Sequence, residues 1–566
     1  MTIRQSGDVT RREVLIGAAG GFAAAIAAPA ASPARAEGAT ISGVVFEDQS
    51  ESGKRQDDAP GIANVLVSNG RDVAVTDASG RYTLPLPAEA TIFVVKPTGY
   101  MPPVDPETML PRFYAHHRPK GSPESLQLAF AGIAPTSVLP ASLDFPLRRQ
   151  DEPRNFEVVL FTDPQPESDV EVDFIRDDVV DALVGAKAKF GITAGDLMFD
   201  DLSLYDRYNR IIATIGLPWW NIGGNHDLNY EAPDRRYSRE TYKRVFGPNY
   251  YAFNYADVLF LMLDDVDYLG ADKSRPHMAG KYEGRLDQAQ LDFIRNVLAQ
   301  TPPDKLVVAF MHIPLRNDLD DDEPSTNLAN RREFFALFEG RPHTASFSGH
   351  THTTEHHYFD VADGWKGPTP HHHHVMTAVS GSWWSGPYDH RGVASADSRD
   401  GSPNGFHILT VDGASYRTRF VPAKEPNGRQ MRLSVDSRFH RAERELERDF
   451  RAGQLLGSPI SLAAVPATSI IANVFDAGPK TKVVMTIGVR APIEMTRRRM
   501  PDPFVAEVFA RNEATKKPWV RAEPSSHIWT ARLPADLGAG THGVTVEAVT
   551  EYGDKVYGRI ALEVAG

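Results

Sequence analysis

The sequence predicts an α/β domain flanked on each side by an all-β sandwich domain. Strand and helix patterns alternate in the middle of the chain, whereas short strands separated by turn-rich sequence lie before and after it. The 566 residues also exceed what one hydrophobic core accommodates, and about 100 to 200 residues per domain gives roughly three domains. We therefore expect domains at residues 40–148, 153–395 and 396–566.

Residues 1–36 have the features of an export signal. The pair Arg11-Arg12 precedes a mildly apolar stretch rich in Ala and Gly, and residues 34–36 supply an A-x-A-like cleavage signal. This pattern resembles a twin-arginine signal, and Pro29 and the many small residues disfavour the alternative, a membrane anchor. We expect an exported protein, periplasmic or extracellular, with no membrane-spanning segment after signal removal.

The composition excludes two kinds of site. The formal net charge of -13 argues against a nucleic-acid-binding surface, because neutralising phosphates requires clustered Lys and Arg. The chain has no cysteine, so it forms neither disulfides nor thiolate-ligated metal sites. Any metal must be held by oxygen and imidazole ligands.

Five short apolar runs that are typical of buried strands are each followed by polar residues. Loops at the carboxyl ends of strands in an α/β layer commonly hold the active site. Two imidazoles one residue apart, His350 and His352, suit adjacent metal ions. The five groups, in chain order, are Asp163-Pro164-Gln165, Gly195-Asp196, Gly224-Asn225-His226-Asp227, Met311-His312 and Gly349-His350-Thr351-His352.

In this order the groups resemble the pattern of the calcineurin-like metallophosphoesterases: D-x-H, G-D, G-N-H-D or -E, a lone His, and G-H-x-H. The match spans residues 155–352. The flanking segments resemble those of secreted family members, with a prealbumin-like module before the core and an immunoglobulin-like end after it. The resemblance implies an α+β sandwich-type core that hydrolyses phosphate mono- or diesters.

The resemblance also implies two metal ions that share one carboxylate. A shared carboxylate holds cations about 3.5 to 4 Å apart, and oxygen and imidazole ligands suit manganese, iron, zinc or cobalt. The first ion would be bound by Asp163, Gln165, Asp196 and His352, and the second by Asp196, Asn225, His312 and His350.

Gln165 departs from the family pattern, which usually has histidine at this position. A neutral amide is a poorer ligand than imidazole and cannot transfer protons near pH 7. Either Gln165 is a weak ligand of the first ion, or it only hydrogen-bonds a neighbouring ligand or water. Phe199 occupies the position of the tyrosinate ligand in the purple acid phosphatase branch, which disfavours a purple di-iron site.

His226, next to a ligand, is the best candidate to contact the scissile phosphate and protonate the leaving oxygen. Asp227 would hold its imidazole in a useful tautomer; the alternative is that Asp227 caps the loop. In the expected mechanism, a hydroxide bridging the two metals attacks phosphorus in line with the leaving group.

Two further segments allow more than one interpretation. In the run of residues 371–374, strand alternation would put His371 and His373 on one face and His372 and His374 on the other. This run is either a metal-binding tract or a polar strand or loop near the site entrance. The pair Trp383-Trp384 either forms an aromatic wall beside the substrate or packs a loop against the core.

Two functions from different classes remain open. The first is an exported dinuclear phosphoesterase, whose substrate would be an ester of the envelope or of an extracellular metabolite. The second is a catalytically weakened protein of the same fold that acts as a cell-envelope binding or assembly module. Gln165 supports the second, whereas the retained ligand set supports the first.

Overall fold

The computed structural model describes residues 38–272, 280–423, 428–436 and 459–566. The predicted export signal at residues 1–36 lies outside the described residues. Within the described part of the chain, no helix has both the length and the apolar character needed to cross a membrane.

The N-terminal domain contains two four-stranded sheets, which confirms the predicted all-β domain. Its strands alternate buried and exposed residues; in the fourth strand, for example, Tyr82 and Leu84 are buried between exposed neighbours. The strands are β1 (Thr40–Glu47), β2 (Leu66–Ser68), β3 (Val73–Val75), β4 (Arg81–Pro85), β5 (Ala90–Val95), β6 (Tyr100–Met101), β7 (Tyr114–His117) and β8 (Phe145–Arg149). The sheet orders are β4-β1-β8-β6 and β3-β2-β5-β7.

The central domain alternates strands and helices, as predicted. Its strands are β9 (Asn155–Phe161), β10 (Phe190–Ala194), β11 (Trp219–Ile222), β12 (Tyr251–Tyr255), β13 (Val258–Met262), β14 (Val266–Gly270), β15 (Lys281–Gly284), β16 (Leu306–Phe310), β17 (Thr344–Ser348), β18 (Glu355–Phe359), β19 (His371–Val375), β20 (Gly405–Asp412) and β21 (Ser415–Pro422). Its helices are α1 (Asp169–Ile175), α2 (Tyr205–Ala213), α3 (Glu240–Phe246), α4 (Gln288–Ala299) and α5 (Arg331–Ala336).

Two sheets form the centre of this domain. Their strand orders are β11-β10-β9-β20-β21 and β12-β13-β16-β17-β19-β18. Leu160 of β9 and Phe310 of β16 belong to one core shared by both sheets. Phe161, the next residue along β9, packs instead in a second core with Val172 of α1 and Tyr208 of α2. Because residues 158–161 of β9 are buried on both faces, this part of the strand is a continuous apolar run without alternation.

The predicted domain boundary at residue 395 is too early. Strand β20 pairs antiparallel with β9, from His407 opposite Leu160 to Asp412 opposite Asn155, and β21 continues the same sheet. These two strands cover what would otherwise be an unpaired edge of β9. The central sheets therefore extend to Pro422.

The C-terminal domain has its own hydrophobic core between a four-stranded and a five-stranded sheet. The sheet orders are β22-β24-β28-β27 and β23-β30-β29-β25-β26. Its described strands are β22 (Met431–Val435), β23 (Ile460–Ser461), β24 (Ser469–Val474), β25 (Lys482–Ile487), β26 (Ile493–Glu494), β27 (Thr496–Pro501), β28 (Pro524–Arg532), β29 (Gly540–Val549) and β30 (Lys555–Ala565), and the described residues of this domain also form helix α6 (Pro503–Arg511).

Candidate metal centre

The seven predicted ligands follow five strands whose carboxyl ends point the same way. Strands β9, β10 and β11 are mutually parallel in one sheet, and β16 and β17 are parallel in the other. Parallel strands bring the loops after them to one edge of each sheet. The loops after β9, β10, β11, β16 and β17 carry Asp163 with Gln165, Asp196, Asn225, His312, and His350 with His352, respectively.

Asp196 lies at the centre of the predicted ligands. Its Oδ2 is 3.2 Å from His312 Nε2 and accepts a hydrogen bond of 2.6 Å from the Gln165 side-chain amide. Its Oδ1 accepts a hydrogen bond of 2.9 Å from the backbone N–H of His226. One carboxylate thus contacts residues from both predicted ligand groups.

The remaining ligands contact one another on either side of Asp196. His312 Nε2 lies 3.1 Å from Asn225 Oδ1 and 3.2 Å from His350 Nδ1. On the other side, His352 Nε2 lies 3.6 Å from Asp163 Oδ1. The structure therefore brings all seven predicted ligands into one cluster.

The three histidines each have one ring nitrogen engaged by a backbone carbonyl. His312 Nδ1 donates to Ala194 O at 3.1 Å, His350 Nε2 donates to Ser325 O at 3.0 Å, and His352 Nδ1 donates to Gly381 O. In the neutral ring, each hydrogen bond fixes the tautomer and leaves the other nitrogen as an acceptor inside the cluster. This is the arrangement that a metal ligand requires.

The backbone is held in an unfavourable conformation at five of the seven positions: Asp163, Gln165, Asp196, His350 and His352 have φ between 40° and 75°. Non-glycine residues seldom adopt positive φ, and such strain concentrates at functional sites. Position 224 requires glycine, because the Asp196 carboxylate lies so close to this backbone that a Cβ atom would overlap it.

The electrostatics of the cluster favour bound positive charge. Burial raises the pKa of Asp163 to about 6, and the neighbouring Asp196 carboxylate adds to the effect. Burial alone would lower the pKa of His312, but Asp196 and Asp163 outweigh it and raise that pKa to about 10. Two carboxylates buried next to each other are therefore stabilised by a cation between them.

Two atoms of the cluster have no hydrogen-bond partner although they are buried: Gln165 Oε1 and His352 Nε2. Buried polar atoms are rarely left without a partner, since the loss of hydration is costly. Both atoms belong to the ligand set predicted for the first ion. The oxygen and imidazole donors, the strained loops and these two atoms fit a metal-binding site.

The His226 ring is held by two neighbours that the sequence analysis did not assign to this role. Its Nδ1 lies 2.7 Å from Asp200 Oδ1, which also accepts a hydrogen bond of 2.6 Å from the Tyr230 hydroxyl. Phe199 stacks on the imidazole with ring centroids 4.4 Å apart. Burial lowers the pKa of His226, but Asp196 and Asp200 outweigh it and raise the pKa to about 9.

Asp227 does not have the position that was expected for a partner of His226. Its carboxylate accepts hydrogen bonds from the backbone N–H groups of Leu197 at 3.0 Å, Met198 at 3.2 Å and Gly224 at 2.8 Å. The Tyr205 hydroxyl donates a fourth, at 2.9 Å. Asp227 therefore ties together the loops that carry Asp196 and Asn225, and this geometry corresponds to the alternative role in the loop.

The two adjacent tryptophans have different surroundings. Trp383 stacks on His352 with ring centroids 3.8 Å apart, whereas Trp384 is buried and packs on Phe174. The C-terminal domain adds Trp519, which stacks on Phe199 at 5.5 Å and contacts Trp383 at 6.2 Å. More than 300 residues of sequence separate Trp519 from Phe199, and no motif marks it.

The run of residues 371–374 lies in strand β19, in the interior of the six-stranded sheet, and all four histidines are buried. His371 and His373 both contact Ser346, while His372 and His374 face Tyr416 and Asp476. The predicted alternation is correct. The segment is a strand, in agreement with one of the two interpretations, but all of its residues are buried.

Comparison with known proteins assigns the family. Three family models match the chain: the N terminal of calcineurin-like phosphoesterase over residues 49–131, calcineurin-like phosphoesterase over residues 158–354, and the C terminal of calcineurin-like phosphoesterase over residues 373–556. The chain belongs to the calcineurin-like phosphoesterases. It is a metal-dependent hydrolase of phosphoric esters.

No curated protein matches the chain. Among solved structures, a purple acid phosphatase isolated from yellow lupin (Lupinus luteus) seeds is similar, with 13% sequence identity and a TM-score of 0.35. The similarity covers 64% of this chain and 68% of the lupin chain.

Proposed function

We propose that this phosphoesterase uses two metal ions and is exported. The observation that carries the dinuclear assignment is the position of Asp196 Oδ2, which contacts Gln165 at 2.6 Å and His312 at 3.2 Å. These two residues belong to different ligand groups. A carboxylate approached from both sides in this way is suited to bridge two cations.

The first ion would be held by residues from the loops after β9, β10 and β17, and the second by residues from the loops after β10, β11, β16 and β17. When bound, the ions supply Lewis acidity that activates water and neutralises charge on the phosphoryl oxygens. The two ligand groups are Asp163, Gln165, Asp196 and His352 for the first, and Asp196, Asn225, His312 and His350 for the second.

His226 donates the proton to the leaving oxygen. Its Nδ1 proton is engaged by Asp200, and its raised pKa keeps the second ring nitrogen protonated near neutral pH. About 18% of its side chain is exposed, so a substrate can reach the ring. Phe199 holds the ring plane by stacking, which reduces the motion that the imidazole would otherwise have.

The substrate has a leaving group that aromatic side chains recognise. Trp383 and Trp519 both line a cleft of about 830 Å³. Trp383 also stacks on the proposed ligand His352, and Trp519 stacks on Phe199, the residue that stacks on His226. Aromatic walls with a few polar groups are typical of sites for small organic molecules. An ester of the cell envelope and an extracellular metabolite are both compatible with this cleft.

The test of catalysis combines metal analysis with two assays. Full-length protein is loaded with manganese, iron, zinc or cobalt, and hydrolysis of an aryl phosphate monoester and of a diester is measured with and without chelator. We expect two ions in the ligand set and chelator-sensitive hydrolysis that His226→Gln lowers by about 10² to 10⁴. If the protein is fully loaded with metal but hydrolyses neither ester, and His226→Gln changes nothing, the result would instead support a binding or assembly module.

Export is proposed from the Arg11-Arg12 pair and the cleavage signal at residues 34–36. The experiment is cell fractionation of the full chain beside a variant in which both arginines are lysine. We expect the wild type outside the cytoplasm in a form shortened by about 36 residues, as the signal pattern implies. Cytoplasmic retention of uncleaved wild type would overturn the proposal.

A further inference from the structure

A second cluster of metal-ligating side chains lies where three sheets meet, and it shares no residue with the Asp196 ligand set. We call it the histidine junction: His356 of β18, His374 of β19, His407 of β20 and Asp476. Strands β18 and β19 belong to the six-stranded central sheet, and β20 belongs to the five-stranded one. Asp476 follows β24 of the C-terminal domain.

The three imidazoles converge on one oxygen atom. His374 Nε2 lies 2.7 Å from Asp476 Oδ1, and the Nε2 atoms of His356 and His407 each lie 3.3 Å from it. Bond lengths of about 2.0 to 2.1 Å place the ligand atoms of a tetrahedral zinc site about 3.3 Å apart. Two of the three distances to Asp476 Oδ1 match that value, and the distance from His374 Nε2 is shorter.

The junction is sealed from water. The side chains of His356, His374 and His407 are 0% exposed, and that of Asp476 is 8% exposed. Neither ring nitrogen of His407 has a hydrogen-bond partner. A fully buried imidazole without a hydrogen-bond partner at either nitrogen is costly, and the Nε2 atom of His407 lies 3.3 Å from Asp476 Oδ1.

The opposite nitrogens of the other two rings are oriented by side chains outside the junction. His356 Nδ1 lies 2.9 Å from His372 Nε2, and His372 Nδ1 in turn lies 2.7 Å from the Tyr416 hydroxyl. His374 Nδ1 lies 3.5 Å from Thr418 Oγ1. Such outer contacts fix the ring orientation of metal-bound histidines and leave Nε2 for the ion.

We propose that the histidine junction binds one divalent transition-metal ion of the zinc or cobalt type, which fastens the C-terminal domain to both central sheets. Four protein ligands close the coordination shell, as in structural sites, and imidazole with one carboxylate suits these ions. The four ligands span residues 356 to 476, so one ion crosslinks distant parts of the chain. The chain has no cysteine that could form a disulfide crosslink.

The experiment counts metal ions in the full-length protein and in three variants after stripping and reloading with Co²⁺. We expect the wild type to bind one ion at the histidine junction in addition to the ions held by the Asp196 ligand set. His407→Phe should bind one ion fewer than the wild type. The double variant Asp196→Asn, His312→Asn should retain the junction ion, with the intense visible bands of tetrahedral Co²⁺. His371→Gln, which changes a buried histidine on the opposite face of β19, is the matched control and should retain every ion.

The midpoint temperature of unfolding gives a second readout that does not depend on activity. In the double variant, Co²⁺ should raise the midpoint temperature, because an ion that binds only the folded state stabilises it. Equal ion counts in His407→Phe and wild type would overturn the proposal. If His407→Phe does not fold, the absence of any bound Co²⁺ in the folded double variant would overturn it instead. Loss of phosphoesterase activity in the double variant tests the proposed function and leaves the junction unaffected.

Discussion

His226 Nδ1 lies 2.7 Å from Asp200 Oδ1, and this contact assigns to Asp200 the role that the sequence analysis gave to Asp227. Both carboxylates are within a few residues of a metal-ligand motif, but only their tertiary contacts distinguish them. Asp200 acts on the imidazole, whereas Asp227 acts on the backbone of two loops. Changing Asp200 to asparagine should therefore affect catalysis, whereas changing Asp227 to asparagine should affect the stability of the fold.

Asp200→Asn should lower kcat about 10- to 100-fold while metal binding is retained, because the amide orients the His226 ring less well than the carboxylate does. Loss of the charge should also lower the pKa of His226, so the alkaline limb of the kcat profile should move to lower pH. Steady-state kinetics across pH is the measurement. Asp201→Asn, which changes a neighbouring carboxylate that caps the turn at Ser203, is the control. An unchanged pH profile in Asp200→Asn would contradict the assignment.

Asp227→Asn should lower the free energy of unfolding by roughly 2 to 4 kcal/mol, since an amide NH₂ would face N–H donors now paired with a buried carboxylate. Urea denaturation measures the change. Asp200→Asn serves as the comparison, because Asp200 is 38% exposed and should alter stability little. A wild-type unfolding curve for Asp227→Asn would be inconsistent with its role in holding the loops.

Gln165 should prove to be a ligand through its unpartnered Oε1. Replacing it with histidine should tighten metal binding and replacing it with leucine should weaken it, each by about tenfold or more, because imidazole is the stronger donor and leucine has none. Chelator competition measures both affinities. If both variants bind metal as the wild type does, Gln165 only hydrogen-bonds Asp196.

Trp519→Ala should raise KM for an aryl phosphate about 5-fold and leave kcat nearly unchanged, because loss of one aromatic contact costs about 1 kcal/mol. A small alkyl phosphate should show no such increase. Tyr557→Ala removes an aromatic ring that is 52% exposed elsewhere on the same domain and is the matched control. Equal effects on the aryl and alkyl esters would rule out a leaving-group wall at Trp519.

His116 should make stability depend on pH. Burial lowers the pKa of His116 from 6.5 to about 4, with Lys243 and Arg118 adding to the effect. Between these values the unfolded chain binds a proton that the folded protein does not, so up to about 3 kcal/mol of stability is lost as the pH falls from about 6.5 to 4. That stability is fully present above pH 6.5.

The measurement for His116 is urea unfolding of wild type and His116→Gln at pH 7.5 and pH 4.5. The destabilisation caused by the substitution should be smaller at the lower pH, because the wild type has by then lost the contribution of the neutral imidazole. His542→Gln removes a histidine that hydrogen-bonds Gly538 O in the C-terminal domain and is the control. A pH-independent difference between wild type and His116→Gln would refute the prediction.

The sequence was sufficient to single out the candidate ligands because each of them lies in the loop that follows a buried strand. Local hydrophobicity marks such strands, and residues such as Asp163 and Asp196 then need only the shared direction of parallel neighbouring strands to meet. Bringing His312 to them also requires the packing of the second sheet on the first. The predicted domain boundary at residue 395 was too early for a related reason. Nothing local in β20 records that its partner is β9, about 250 residues earlier in the chain.

The four histidines of β19 show the same limit. Alternation along a strand correctly separated His371 and His373 from His372 and His374. It could not show that the strand is buried, since burial depends on which sheet and which domain cover each face. Asp476 meets His374 only because β24 of a separate domain ends beside β19.

The sequence by itself determined the family pattern, the seven candidate ligand residues and the alternating faces of β19, because these follow from strand endings and from residue chemistry at fixed spacing. Tertiary structure alone decided that Asp200 contacts His226, that Trp519 stacks beside the metal ligands, and that three histidines converge on Asp476. Each of these contacts joins separate loops, sheets or domains. These contacts result from side-chain packing and from the order of strands in the sheets, and no local sequence pattern predicts the packing or the strand order.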